Sequence, residues 1–263
     1  MDVNRRKFIK IGGACALGLV GLAAPFARVA TANNPRMAPV PEGMVPVPEA
    51  LNAGSWAMVI TMSRCRPGCT DCMTACHFHH NVPNKPYPGE EIKWLWSVPF
   101  ANAFTDLEHA HVNAATRNRD FLVLCNHCEN PPCVRVCPTR ATFKRQDGIV
   151  MMDYHRCVGC RFCMAGCPYG ARSFNFRNPI PYIEEINPRF PARSKGVVEK
   201  CSFCEERLAQ GLLPACVDAC PEGALVFGDI NDPRSEVRRQ LADNFNIKRN
   251  VKLGTQPKVY YIV

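Results

Sequence analysis

The chain has 263 residues, room for one or two domains, and an apolar content of 47% that fits an ordinary globular protein. Its 17 cysteines are far from ordinary, and they restrict the chain to a disulfide scaffold, a metal protein or a cluster protein. The formal charge of +9 raises nucleic acid or an anionic membrane surface as partners, but Arg5, Arg6, Lys7, Lys10 and Arg28, less Asp2, place +4 of it in the N-terminal segment and leave +5 elsewhere.

Residues 1–32 read as an export signal. Asn4-Arg-Arg-Lys-Phe-Ile-Lys10 is a charged region, Ile11 to Ala27 an apolar stretch, and Ala30-Thr31-Ala32 a small-residue cleavage site. Arg5-Arg6 followed by Phe8 resembles a twin-arginine signal, which exports proteins already folded. A Sec signal or a retained anchor stays open, since about 17 apolar residues is the short limit for a membrane span. Cys15, inside this stretch, reads as a small apolar residue. Residues 33–55 hold Pro35, Pro39, Pro41, Pro46 and Pro48, an extended tether or an arm laid on a partner.

A strand is expected at Ala57–Met62, followed by the first of four cysteine quartets, Cys65-x3-Cys69-x2-Cys72-x3-Cys76. His77, His79 and His80 follow at once, positioned to bind a metal, to donate toward a sulfur, or simply to satisfy local backbone. Trp94 and Trp96 alternate as on a strand edge, in core packing or at an interface, and His109 and His111 fit one face of a strand. The second quartet is Cys125-x2-Cys128-x4-Cys133-x3-Cys137-Pro138. Ala141–Arg145 and Gly148–Asp153 flank Gln146-Asp147-Gly148, a hairpin signal. The third is Cys157-x2-Cys160-x2-Cys163-x3-Cys167-Pro168. Residues 178–199, with Pro179, Pro181, Pro188 and Pro191, read as an irregular surface loop. The fourth quartet is Cys201-x2-Cys204-x11-Cys216-x3-Cys220-Pro221, followed by a strand at Ala224–Ile230 and an amphipathic helix at Ser235–Ala242 with Arg238 and Arg239 exposed. The apolar end, Val259-Tyr-Tyr-Ile-Val263, is expected to dock on this chain or on a partner.

The third quartet matches the bacterial ferredoxin run C-x2-C-x2-C-x3-C-P in every spacing. A tight loop wraps three thiolates around one face of a cube and turns its N–H groups toward the sulfides, while the fourth cysteine, a turn further on, faces another cluster. Structural zinc seldom takes three cysteines in seven residues followed by Cys-Pro. Disulfides suit an exported chain, but cysteines three apart in a tight loop are poorly placed to pair with one another. Covalent haem is excluded, because Glu129 follows Cys125-x2-Cys128 and Arg161 follows Cys157-x2-Cys160.

The ferredoxin rule then sets the expected ligands. Cys125, Cys128, Cys133 and Cys167 hold one cluster, and Cys157, Cys160, Cys163 and Cys137 the next. Cys65, Cys69, Cys72 and Cys220 share a third, and Cys201, Cys204, Cys216 and Cys76 a fourth. The expected fold is α+β, two nested bacterial ferredoxin-like units with irregular insertions. The inner unit spans 121–177, the outer one 56–120 and 178–230, and the tail 231–263. The first quartet departs from pattern in its x3 gap, Arg66-Pro67-Gly68, whose extra residue is expected to bulge out and leave ligation intact. An oxidised [4Fe–4S] core with four thiolates adds −2, so four such sites turn the remaining +5 into −3, and the basic balance mostly offsets clusters. No nucleotide-binding glycine loop and no Ser/His/Asp set is recognisable, so no catalytic residue is expected.

Cys125-Asn-His-Cys-Glu-Asn-Pro-Pro-Cys133 and Cys157 to Tyr169-Gly170 resemble the four-cluster ferredoxin subunits of polysulfide and dimethyl sulfoxide reductase complexes. That resemblance implies an electron-transfer subunit bridging a membrane quinone subunit and another redox protein. Some relatives replace one ligand with Trp and hold a [3Fe–4S] cluster; here all 16 positions are Cys, which implies four [4Fe–4S] clusters. Ala75-Cys-His-Phe-His-His-Asn-Val-Pro83, Gly148 to Cys157, Gly196-Val-Val-Glu-Lys-Cys201 and Lys258-Val-Tyr-Tyr look like the DsrO family, the exported iron–sulfur subunits of DsrMKJOP (Hme) complexes. This closer resemblance covers about residues 55–263 plus the signal. It implies a sulfate-respiration complex at the periplasmic face of the cytoplasmic membrane, with an integral membrane quinone-interacting partner (DsrP/NrfD type) and a multihaem cytochrome c (DsrJ type). An iron–sulfur subunit of a molybdenum oxidoreductase or hydrogenase complex stays open as the alternative.

Overall fold

The structure, a computed structural model, describes residues 53–263. The export signal, Cys15 and all but the last three residues of the Pro-rich segment lie outside the described residues. In chain order the elements are β1 (Trp56–Thr61), α1 (Asp71–His79), β2 (Leu95–Pro99), α2 (Phe100–Ala103), α3 (Ala114–Arg117), β3 (Asp120–Leu124), α4 (Pro132–Arg135), β4 (Thr142–Lys144), β5 (Val150–Met152), α5 (Phe162–Ala165), β6 (Ser173–Phe174), β7 (Val198–Glu199), α6 (Glu205–Leu208), α7 (Ala215–Asp218), β8 (Leu225–Asp229), α8 (Glu236–Asp243), β9 (Asn246–Ile247) and β10 (Val259–Ile262). Helices and strands mix along the chain, as in an α+β fold.

The largest sheet among the described residues has the order β8-β1-β10-β9. β1 runs antiparallel to β8, with Met58 opposite Phe227, and parallel to β10, with Val59 opposite Tyr260. Its sequence, Trp-Ala-Met-Val-Ile-Thr, is apolar on both faces because both are covered. On one side α8 packs Val237 against Ala57, Val59 and Ile262. That helix starts at Ser235, whose hydroxyl accepts the N–H of Arg238, a cap worth about 1 kcal/mol. Arg238 and Arg239 lie on its exposed face. On the other side Met58, Ile60, Phe227, Val259 and Tyr261 join the main core with Phe104, Phe121 and Phe203.

The apolar tail thus docks on this chain as the strand beside β1. Lys258 N–H donates to Asn126 carbonyl, and Glu129 and Asn130 N–H donate to the carbonyls of Gln256 and Thr255, so the segment also ties the outer sheet to the second cysteine loop. The other three sheets among the described residues are pairs: β2 with β3, β4 with β5, and β6 with β7. β4 and β5 form the hairpin around Gln146-Asp147-Gly148. His109 and His111 do not share a strand. They sit in an exposed turn where His109 Nδ1 accepts the N–H of His111, because no neighbouring chain pairs with that stretch. Trp94 is fully buried and donates to Glu199 at 3.0 Å, while Trp96 stays half-buried on β2.

Candidate iron–sulfur centres

Apart from Cys15, every cysteine is described, and none of these 16 is in a disulfide. α1 carries Cys72 and Cys76 one turn apart on the same face, and they are the only buried residues of this nine-residue helix. Such a helix has no apolar stripe to bury, so its thiols are what anchor it. The remaining cysteines sit in loops, on the four-residue helices α4, α5 and α7, or, as Cys204, at the N-cap of the four-residue α6, all helices too short to persist alone.

The loops share one backbone device. The residue just before the second cysteine of each quartet has positive φ: Gly68 at 74°, His127 at 40°, Gly159 at 70° and Phe203 at 58°. This left-handed step turns the loop so that successive N–H groups point inward. The x3 gap of the first quartet keeps it, with Gly68 in place and the additional residue upstream. A second left-handed position recurs three residues after the last cysteine of the other quartets, at Arg140, Gly170 and Gly223. There the turn aims the N–H groups of Thr142 and Ala224 at the sulfurs of Cys137 and Cys220, at 3.5 and 3.3 Å. Phe203 and Ala215 N–H reach Cys201 and Cys204 sulfurs, each at 3.4 Å.

The thiols gather in four sets. Cys65, Cys69 and Cys72 meet Cys220. Cys76 meets Cys201, Cys204 and Cys216. Cys125, Cys128, Cys133 and Cys167 line one small cavity with Tyr169 and Arg172. Cys137, Cys157, Cys160 and Cys163 line another with Met152 and Val198. Each set thus mixes two quartets and offers the four thiols that a [4Fe–4S] cluster takes. Burial, and then the neighbouring thiols, push Cys72 and Cys128 up to about 12. Cys201 goes up to about 12 through burial and the thiol of Cys125. Packing thiolates this closely is unfavourable without cations between them, so the donor sets fit iron, which holds thiolates deprotonated.

The sets adjoin in the order just given. Cys72 and Cys216 link the first and second, Cys125 and Cys201 the second and third, and Cys133 and Cys163 the third and fourth. Between the second and third, His127 stacks on Phe203 with ring centroids 3.7 Å apart. Cys160 is exposed at one end of the row; Cys65, Cys69 and Cys220 are half-buried at the other.

Two buried basic side chains adjoin these sets, and neither was singled out from the sequence. Arg172 is 4% exposed and donates to Cys133 Sγ at 3.1 Å and to Thr142 hydroxyl. Burial opposes its charge, but the thiols of Cys133 and Cys163 outweigh burial and keep the guanidinium protonated. Lys200 is buried beside Cys201 and donates to the carbonyls of Cys201, at 2.6 Å, and of Val150. Its position next to a ligand-type cysteine was the available signal; Arg172 had none, lying five residues beyond Cys167, just before β6. Glu199 is buried too, held by Trp94 and Asn175, and burial pushes its carboxyl up. Among the three histidines after Cys76, His77 bonds the Leu95 carbonyl at 3.0 Å, whereas His79 and His80 both reach Glu206.

Residues 120–180 and 177–230 each match the 4Fe-4S dicluster domain family. The chain is 37% identical over 281 residues to the Hdr-like menaquinol oxidoreductase iron-sulfur subunit 1 of Archaeoglobus fulgidus, covering 98% of this chain and 97% of that one. It is 39% identical over 216 residues to a putative dimethyl sulfoxide reductase iron-sulfur subunit of Halobacterium salinarum, 79% of each chain. It is 36% identical over 232 residues to the menaquinone reductase iron-sulfur cluster-binding subunit of Nitratidesulfovibrio vulgaris, 79% of this chain and 88% of that one. Two dicluster domains give four [4Fe–4S] clusters.

Proposed function

Because the chain belongs to the 4Fe–4S dicluster family of iron–sulfur electron-transfer subunits, we propose that it is the exported DsrO-type relay of a respiratory complex, passing single electrons along four clusters and catalysing no reaction itself. When bound, the clusters supply one-electron exchange; the chain's residues hold, order and bias them. The ligand sets are Cys65, Cys69, Cys72 and Cys220; Cys76, Cys201, Cys204 and Cys216; Cys125, Cys128, Cys133 and Cys167; and Cys137, Cys157, Cys160 and Cys163. This makes the two ferredoxin-like units nested, the inner one within 121–177.

The adjacency of the four thiol sets carries this reading. A row with accessible ends suits a protein that takes electrons from one partner and delivers them to another, and the filled quartets leave no open iron position for a substrate. The partners proposed are an integral membrane quinone-interacting subunit of the DsrP/NrfD type and a multihaem cytochrome c of the DsrJ type, in sulfate-linked respiration. Similarity to a menaquinol oxidoreductase subunit over nearly the whole chain supports the quinone side. The Arg5-Arg6 signal supports a place on the extracytoplasmic face of the membrane. The alternative, a molybdenum oxidoreductase or hydrogenase complex, is favoured by the 39% identity to the putative dimethyl sulfoxide reductase protein.

Anaerobic purification of the native complex tests both. The expected result is about 16 iron and 16 sulfide per chain, with covalent haem c and a quinone-reactive membrane subunit in the same particle. A molybdenum cofactor in place of haem c moves the chain to the alternative. Stoichiometric zinc with little iron overturns electron transfer altogether.

A further inference from the structure

We propose that His79, His80 and Glu206 form a divalent-cation site of the zinc type, separate from the four cluster sites. His79 is the last residue of α1, His80 caps it, and Glu206 comes from α6, about 130 positions along the chain. Two imidazoles converge on one carboxylate oxygen, with His79 Nε2 at 2.9 Å and His80 Nε2 at 3.1 Å from Glu206 Oε1. The three atoms lie within 4.8 Å of one another. The rings cross edge-on at 82°, which lets both nitrogens face the same point.

The protons decide what occupies that point. His80 Nδ1 lies 2.9 Å from the Cys76 carbonyl, and a carbonyl only accepts, so Nδ1 carries the hydrogen. The Nε2 of a neutral ring is then a lone pair facing a carboxylate oxygen, an acceptor opposite an acceptor. A proton or a metal ion must lie there. A second proton on His80 would place an imidazolium on a ring that is only 1% exposed, a burial that opposes the charge. A divalent cation resolves the contact and uses all three donors at once. Donation of the second ring N–H to a backbone carbonyl is also the posture of metal-bound histidine, because it fixes the ring and raises its basicity.

Two nitrogens and one oxygen are borderline donors that suit tetrahedral zinc, with the fourth position left for water. The side chains of His79 and Glu206 are 19% and 25% exposed, so that position is reachable from solvent. His77 takes no part, its Nε2 being committed to Leu95. His80 Nδ1 also lies 3.8 Å from Cys76 Sγ, so the cation would act on the second thiol set through one side chain.

The test uses anaerobically purified, iron-replete full-chain protein and Zn²⁺ as the probe. Zinc and iron are counted after gel filtration, and the zinc environment is read by X-ray absorption at the zinc edge. The expected result is one zinc per chain with iron unchanged and a shell of nitrogen and oxygen only, near about 2.0–2.1 Å. His79→Ala and Glu206→Gln, both at the solvent rim, should each weaken zinc binding by about 100-fold or more while iron and sulfide stay constant. Zinc absent at micromolar supply, bound equally by His79→Ala, surrounded by sulfur, or gained only as iron is lost would overturn the site. Since iron is counted in the same sample, loss of the cation site alone leaves the cluster reading standing.

Discussion

The left-handed residue before each second cysteine gives four chemically different tests of one position. At Gly159 a Cβ would lie 2.5 Å from the Gly196 carbonyl and 3.1 Å from the Phe174 ring, so a side chain meets backbone that cannot yield cheaply. At Gly68, with the same sign of φ, a Cβ would meet nothing within 4 Å. Gly159→Ala should therefore destabilise by roughly 2 kcal/mol or more and deplete iron, whereas Gly68→Ala should cost about 1 kcal/mol, the left-handed penalty alone. Anaerobic thermal melts with iron counts separate the two, and equal losses would mean that backbone strain, not the contact with Gly196, governs the loop. His127 and Phe203 show that the device tolerates a side chain where space allows. Arg172 supports a second prediction. Its guanidinium sits 3.1 Å from Cys133 Sγ, favouring the more negative, reduced state of that set. A charged hydrogen bond of about 1.5–3 kcal/mol corresponds to on the order of 100 mV for one electron. Redox titration followed by electron paramagnetic resonance should show one midpoint falling by about that much in Arg172→Gln and far less in Arg172→Lys; four unmoved midpoints would remove Arg172 from this role.

At the scale of elements, α4, α5, α6 and α7 have four residues each. Nucleating a helical turn is unfavourable, and these turns gain no propagation, so the bonds made by the cysteines on α4, α5 and α7, and by Cys204 at the start of α6, must hold them. Removing iron by chelation under reducing conditions should cost most of the helical circular dichroism and the near-ultraviolet fine structure, and restoring iron and sulfide should return both. Retention of native spectra without iron would show that the polypeptide core suffices. Much of this level was legible in the sequence, for reasons that are local. Ala57–Met62 and Ala224–Ile230 announced β1 and β8 through β-branched apolar runs, Ser235 announced the start of α8, and Gln146-Asp147-Gly148 the turn between β4 and β5. The quartets were legible because loop geometry around a cubane fixes cysteine spacing. What stayed hidden depends on partners far along the chain. Nothing near Val259 says that it lies parallel to Met58. Nothing near Arg172 says that its guanidinium reaches Cys133. His109 and His111 alternate like a strand but have no strand to pair with.

For the whole molecule, the arrangement of the thiol sets makes a claim about order. α1 joins the first and second sets by carrying Cys72 and Cys76 on one face. Cys125 and Cys201, with the His127–Phe203 stack, join the second and third, and Cys133 and Cys163 the third and fourth. A row of this kind fails at any interior link, whatever the condition of its ends. Cys204→Ala, which removes a donor from the second set, should abolish quinol-linked turnover of the assembled complex while the remaining clusters still accept electrons from a small soluble reductant. Magnetic coupling supplies a check independent of turnover, since reduced clusters broaden one another's resonance signals steeply with proximity. In Cys204→Ala the signals of the first and third sets should sharpen and that of the fourth stay as it was, because the fourth adjoins the third. Equal sharpening of the fourth signal, or turnover near the wild-type rate, would replace the row with a branched or compact arrangement in which electrons bypass the second set.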